Sequence, residues 1–255
     1  MNNSMSQTEK IGDSVRAVDR ALDILMAFTA KDHALTAGEL LKRVDLSRPT
    51  LYRLLRTLEH NGFVSSGGEP QKFRLGPSVA HMAHVWTASL NIGEVAHPMM
   101  RRLWEKTGET VALFIPQGGY RICVAEIPSA QPLSFKRGVG YREKVMVGAS
   151  GRAILANMPD TSRYLMDADV KDPKADTEYE KELARIRECG YAVSRDELIQ
   201  GAVAVAAPFF HGGEQVAGSL AVFGPTARLH SAQVEAYGTL LVREAQELSR
   251  ALGQT

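Results

Sequence analysis

Residues 46–64 read LSRPTLYRLLRTLEHNGFV. At about 100° per residue, Leu51, Leu54, Leu55 and Leu58 share one arc of a helix, and Arg48, Tyr52, Arg53, Arg56 and His60 fall on the opposite side. Ser47 is suited to cap the helix and Pro49 to its first turn. Asn61-Gly62 is suited to end it, because both residues accept the left-handed conformation. One face of this helix can pack on neighbours while the other carries three arginines. Taken alone, that pattern fits a solvated face as well as a face built to meet a ligand.

The flanking sequence bears on the choice. Upstream, Val18, Ala21, Leu22, Leu25 and Phe28 recur at helical spacing. Thr36 and Glu39 form a capping-box pattern ahead of a short helix whose inner face is Leu40, Leu41 and Val44. The tripeptide DLS then interrupts before the 46–64 helix begins. Short helix, tight turn and second helix is the helix-turn-helix arrangement, in which the second helix enters the DNA major groove. Thr36, Ser47, Arg48, Thr50 and Tyr52 offer hydrogen-bonding groups rather than carboxylates at the reading end, and Arg53 and Arg56 follow one turn later. Arginine can pair bidentately with guanine there. Downstream, FVSS, GGEPQ and KFRLG read as strand, turn and strand. That hairpin forms a wing on which Lys72 and Arg74 are placed for phosphate or the minor groove, or else are ordinary strand-edge charge.

Charge is distributed in keeping with this. Residues 41–60 hold five cations and two carboxylates, a net +3, whereas the 255-residue chain totals +1. A length of 255 residues with 44% hydrophobic and 23% charged residues suits a soluble protein of two domains. No run of about 18 apolar residues suggests a membrane span. Residues 1–13 are polar, are expected to form a disordered tail rather than a secretory signal, and point to the cytoplasm. Cys123 and Cys189 have no Cys/His cluster around them and read as two buried free thiols.

After the wing, a long helical stretch from Ser78 to about Thr107 carries an expected break at Gly93 or at His97-Pro98. Beyond Glu109 the texture changes. TVALFIP, YRICVAEIP, PLSFKRG and EKVMVG read as strands, and ASGRAILANM as a turn into a helix. EYEKELARIRECG reads as an amphipathic helix ending at Gly190. AVAVAAPFF and QVAGSLAVFG pair around HGGE, and a helix closes the chain from about Ser231 to Leu252. This order predicts an α+β domain with an antiparallel sheet flanked by helices.

Six segments, taken in order, resemble the IclR family of transcriptional regulators along nearly the whole chain. They are VRAVDRALDILMAF, LTAGELLKRVDLSRPTLYRLLRTLEHNGFV, FRLGP, VGASGRAILA, GYAVSRDELIQGAVAVAAPFF and VAGSLAVFGPTARL. The resemblance implies a winged helix-turn-helix over 14–76, a linker helix over 77–96 and a GAF-like effector-binding domain over 97–255. It implies binding to an operator in double-stranded DNA, self-association as dimer or tetramer, and control by a small organic or aromatic acid, without a cofactor. By motif, the family's effector pocket falls on Ala149, Ser150, Ser194, Ala204, Ala221 and Phe223. Members that bind small keto acids can place Asp, Cys and Ser where this chain has Ser194, Ala204, Ala221 and Phe223. A more apolar pocket, suited to a bulkier acid, is therefore expected, with Ser150 and nearby backbone N–H groups at a helix start holding the carboxylate. Plain core packing is the other reading of Ala204, Ala221 and Phe223.

Other signals carry less. GVGYREKVMVGASG lacks the spacings of phosphate-binding loops, and no nucleophile sits beside a base, so an enzyme is not expected. His81 and His84 lack a third metal ligand nearby. Arg195, Asp196 and Glu197 read first as a solvated loop and second as a pocket rim. Met99, Met100, Leu103 and Trp104 read as core or dimer seam. The rival functional reading is a sensor or enzyme whose helix-turn-helix makes only protein contacts.

Overall fold

Three helices, α1 (Arg16–Met26), α2 (Ala37–Leu41) and α3 (Arg48–His60), precede a hairpin of β1 (Val64–Gly67) and β2 (Lys72–Leu75). The computed structural model describes residues 15–29, 31–89, 92–161, 173–212 and 215–253. The expected tail over 1–13 lies outside them. The chain divides into two compact units, Met1–Ala88 and Ser89–Thr255.

The first unit closes on the leucine face of α3. Leu51 and Leu55 are buried, together with Ile24 and Phe28 of the α1 segment, Leu40 of α2 and Phe73 of β2. Thr36 opens α2 with a complete capping box: its hydroxyl accepts from the Glu39 N–H, and the Glu39 carboxylate accepts from the Thr36 N–H at 2.8 Å. Arg43 fastens the turn, donating to the Ala27 carbonyl and pairing with Asp32 at 2.9 Å. At the other end of α3, Gly62 takes φ +71, where a side chain would strain the turn. Gly76 packs so tightly on the Gly62 carbonyl that a Cβ there would collide with it. Glu59 of α3 accepts hydrogen bonds from the N–H and hydroxyl of Ser66, tying helix to wing. Leu35 and Phe73 exchange backbone bonds at 2.9 and 2.7 Å, which docks the segment before α2 onto the hairpin.

The helical stretch after the wing is divided as α4 (Pro77–Ser89) and α5 (Ile92–Thr107). Over the expected linker of 77–96, α4 falls with the first unit except for its last residue, and residues 92–96 begin α5 in the second. No break occurs at His97-Pro98, because Pro98 sits inside α5. It removes one intrahelical bond, and burial of Ala96, Met99, Met100 and Leu103 holds the helix across it.

In the second unit, β3 (Thr110–Gln117), β4 (Tyr120–Ile127), β5 (Arg142–Lys144), β6 (Ala192–Arg195), β7 (Ala202–His211) and β8 (Gln215–Pro225) form one antiparallel sheet. Its strand order is β5-β4-β3-β8-β7-β6. Alternation along the strands sorts side chains between two faces. Phe114, Ala206, Ala221 and Phe223 share a core with α6 (Gly148–Leu155) and α7 (Pro173–Cys189). Residues of the other parity, including Val205, Phe209, Leu220 and Val222, are buried on the side of α5 and α8 (Ser231–Ala251). Buried Glu244 of α8 is held by Arg102 and Arg243, each at 2.8 Å.

Four expectations need correction. PLSFKRG is not a strand. Its polar backbone groups are taken by side chains instead: Arg228 donates to the Leu133 carbonyl and Thr110 to that of Phe135. Glu126 accepts from the N–H groups of Arg137 and Gly138. Within EKVMVG only Glu143 and Lys144 join β5. Cys189 is exposed, whereas Cys123 is buried as expected. On α1 the apolar positions do not share one buried face: Val18 and Leu22 are 54% and 52% exposed.

Leu55→Ala is expected to cost about 2–5 kcal/mol, as for other buried leucines. Hydrogen exchange should accelerate through α1–α3 and the wing while β3–β8 keep their protection.

Candidate functional site

Two surfaces concentrate the chemistry, one in each unit. On the first, Ser47, Arg48, Tyr52, Arg53 and Arg56 are exposed along the side of α3 opposite the buried leucines, and Thr50 is half-buried beside them. Among the described residues, Arg48, Arg53 and Arg56 form no ion pair, whereas Arg43 is spent on Asp32. The three guanidiniums therefore remain available to an outside partner. Ser47 stands at the N-cap, but its hydroxyl lies 2.9 Å from that of Thr50 rather than capping a helix N–H. The leading N–H groups of α3 consequently have no side-chain cap. The Thr36 hydroxyl is already engaged both ways in the capping box, donating to the Glu39 carboxylate at 2.8 Å. On the wing, Lys72 is half-buried and Arg74 exposed.

In the second unit all six positions carried over by motif line one cavity: Ala149, Ser150, Ser194, Ala204, Ala221 and Phe223. Strand register explains the convergence. Ser194 pairs with Ala204, Ala204 with Phe223, and Ala112 with Ala221, so these side chains follow one another across one face of the sheet. The first turn of α6 lies over them: the buried Ser219 hydroxyl donates to the Ser150 carbonyl at 3.0 Å. Phe114, Phe135 and Tyr141 add aromatic wall. The cavity measures about 40 Å³, small beside ligand pockets of about 300–1,000 Å³.

The pocket is more polar than its substituted positions suggest, because Arg121, Arg137 and Glu197 also line it. Arg121, on β4, is 2% exposed. It donates through Nη1 to the carbonyls of Lys144 and Val147 at 2.6 and 2.7 Å. Burial lowers its pKa to about 10, against the opposing pull of Tyr141 and Glu143. Arg137 stacks on Tyr141, 4.8 Å from the ring centre. Arg195, Asp196 and Glu197 are exposed, as a solvated loop is, and Glu197 also stands at the pocket rim as the hub of a network. Its carboxylate accepts from the Gly148 N–H and takes both oxygens to Arg152 Nη1 at 2.8 and 2.9 Å. Arg152 also lies 3.1 Å from Glu182 and donates to the Val193 carbonyl. Burial opposes its charge, but Glu197 and Glu182 outweigh that and hold its pKa above the usual arginine value. One signal for Arg121 was present in the sequence: it occupies the inward parity of β4 with Cys123, where a charge is out of pattern. For Glu197 the sequence offers the pocket rim only as a second reading, since its partner stands 45 positions away.

His81 is exposed on α4; the side chain of His84 lies outside the described residues. Among the described residues, no cluster of three His, Cys, Asp or Glu is placed to hold a metal. Met99, Met100 and Leu103 are core, and Trp104 donates to the Pro128 carbonyl. No helix among the described residues is long and apolar enough to cross a membrane.

A winged helix-turn-helix followed by a sheet domain with a small enclosed pocket is the build of a transcriptional regulator with an effector-binding domain. Comparison with known proteins agrees. Residues 17–67 match the IclR helix-turn-helix domain, and residues 84–250 match the bacterial transcriptional regulator IclR C-terminal domain. The chain belongs to the IclR family, whose members matched here are regulators rather than enzymes. It is 31% identical to the HTH-type transcriptional regulator BhcR of Paracoccus denitrificans, over 92% of this chain and 86% of that one. An IclR transcriptional regulator from Alicyclobacillus acidocaldarius has the same fold, with a TM-score of 0.80 and 26% identity over 94% of this chain and all of that one, 100%. An IclR homologue from Microbacterium hydrocarbonoxydans, crystallised with 4-hydroxybenzoate, superposes with a TM-score of 0.75. It covers 92% of this chain and 98% of its own, and at 22% identity it speaks for the fold alone.

Arg152→Met would leave Glu197 and Glu182 without their cation. The expected cost is up to about 3 kcal/mol, below that of a fully buried pair because Glu197 is 31% exposed. Amide exchange at residues 196–201 should quicken, and α1–α3 should be unaffected.

Proposed function

We propose that this chain is a ligand-responsive, sequence-specific regulator that reads its operator with α3 and senses a small organic acid in the pocket beneath α6. The observation that carries the reading is the exposed arginine face of α3. Three guanidiniums without ion-pair partners among the described residues stand where a recognition helix meets base edges. Arg48 and Arg53 are assigned to bases, with Ser47, Thr50, Tyr52 and Arg56 at bases or backbone. Lys72 and Arg74 are assigned to phosphate or the minor groove, and Thr36, whose N–H and hydroxyl are both spent on Glu39, to fixing α2 rather than to a DNA contact.

A single recognition helix reads few base pairs, so two heads at fixed spacing are needed for a palindrome-like site. The apolar stripe Val15, Val18, Leu22 and Met26, each at least 52% exposed, and the exposed pair Met82 and Val85 on α4 supply surfaces for such pairing. The protein thus acts in the cytoplasm as a dimer, or as a dimer of dimers, on an operon for a catabolic pathway.

The effector reading rests on the pocket lining. Phe114, Phe135, Tyr141 and Phe223 favour a flat apolar body, and the Microbacterium relative crystallised with 4-hydroxybenzoate makes an aromatic acid a candidate here. A cavity of 40 Å³ must widen to admit any such molecule, since ligand pockets run to about 300–1,000 Å³. That widening is the movement by which binding can bias the DNA-binding form.

The test uses DNA that the protein itself selects. Arg53→Ala is expected to lose about 1–3 kcal/mol of specific binding and to relax sequence preference at one position. Lys72→Ala should instead weaken all sequences alike and reduce the salt dependence by about one phosphate contact. Unchanged operator affinity in Arg53→Ala would sink the assignment of α3 as the reading helix.

A further inference from the structure

Arg121 is a charge buried without a counter-ion. At 2% exposure it sits on the apolar parity of β4, and its Nε has no hydrogen-bond partner among the described residues. Two carboxylates act on it through charge, Glu143 and Glu197, and both are engaged with other groups. Glu143 accepts from Tyr141 and from the Lys144 N–H, and Glu197 holds Arg152 and Gly148. Among the described residues no ion pair reaches Arg121, whereas the equally buried Arg152 has two. Leaving a buried cation unpaired is costly unless something else neutralises it.

The backbone around the guanidinium is cut to fit it. Gly148 and Gly151 lie three apart, on one side of the first turn of α6. A Cβ at Gly148 would come 3.2 Å from Arg121 Nη2, and one at Gly151 would come 2.7 Å from Nη1 and collide with the Val145 carbonyl. The two glycines in VGASG thus make room for Arg121 under the helix start. The N-cap residue Val147 supplies no side-chain cap, and Glu197 takes the Gly148 N–H alone. The N–H groups of Ala149 and Ser150, in the first turn, have no intrahelical partner either. Both residues line the cavity with Arg121. A helix N-terminus and a buried guanidinium therefore converge on one small space walled by Phe114 and Phe223.

We propose that Arg121 is the carboxylate-binding residue of this pocket. Its Nε edge and the first turn of α6 take a monoanionic carboxylate between them, and the apolar part of the acid lies against Phe114 and Phe223. The Nη1 of the same guanidinium holds the Lys144 and Val147 carbonyls. An acid bound at Arg121 is thereby connected directly to the segment that leads into α6. The pocket selects for one negative charge first and for shape second. This inference rests on the reading of the cavity as the effector site and adds the group that recognises the effector.

Calorimetric titration of the full chain with acid and amide pairs tests it: acetate and acetamide, pyruvate and pyruvamide, benzoate and benzamide, 4-hydroxybenzoate and 4-hydroxybenzamide. At least one acid should bind, and its amide should bind at least about tenfold more weakly. Arg121→Lys should keep part of that preference, Arg121→Met should abolish it, and Ala204→Trp, which fills the cavity, should block the acid. Because Arg121 also supports its loop, a second measurement uses the unmodified protein. With arginine labelled by 15N, an Nε–H resonance should shift on adding the bound acid and stay in place with the amide.

Binding by none of the acids, equal binding of acid and amide, an undiminished preference in Arg121→Met, or no arginine shift would each overturn the proposal. The two readings separate cleanly. An acid that needs Arg121 but leaves operator affinity unchanged removes the effector reading and keeps this one. An acid that releases or strengthens operator binding, yet binds Arg121→Met equally well, does the reverse.

Discussion

Arg152 is the group on which the sensing unit depends. From one buried position on α6 it reaches Glu182 of α7, the Val193 carbonyl of β6 and Glu197 of the turn after β6, and Glu197 returns to the first N–H of α6. Two helices, an edge strand and a loop are held by one guanidinium. Such a charge is stable only with its partners in place, so the elements it joins must move together or stay together. The pocket lies against this knot. A molecule that enters has to act on an assembly with few intermediate arrangements, which is the property a switch requires.

The two buried arginines of the pocket face contrast in a way that orders their roles. Arg152 has carboxylates of its own and is structural. Arg121 has carbonyls on one side and an unpartnered Nε on the other. The same fold therefore gives one cation carboxylate partners and the other only carbonyls among the described residues. In the DNA-binding unit the contrast repeats: Arg43 is paired with Asp32, while Arg48, Arg53 and Arg56 face outward.

Much of the fold was legible in the sequence, because helical spacing, the Thr36–Glu39 capping box and the Gly62 stop are local signals. The alternation in TVALFIP and AVAVAAPFF was equally readable, and the motif positions fell together in one cavity. What was not legible depended on distant partners. PLSFKRG has strand-like composition, yet Arg228 and Thr110, far away in the chain, take its carbonyls. Pro98 suggested a break, but burial of the α5 face outweighs one lost hydrogen bond. Val18 and Leu22 fitted a core helix, and no local rule tells a core face from one left on the surface. Glu197 is exposed as its sequence suggests, but its bond to Arg152 was not readable because the two are distant in sequence. The six motif positions described an apolar pocket, and Arg121 was absent from that description because it lies on a strand that none of the six motif segments contains.

The central claim is that the arginine face of α3 reads DNA sequence. Selection of genomic fragments by the purified full chain at low and high salt tests it most directly. The account predicts recovery of one or a few intergenic fragments that persist at the higher salt, because base contacts survive when phosphate contacts are screened. Recovery of all fragments equally, and only at low salt, would contradict it and reduce α3 to a basic surface without a code.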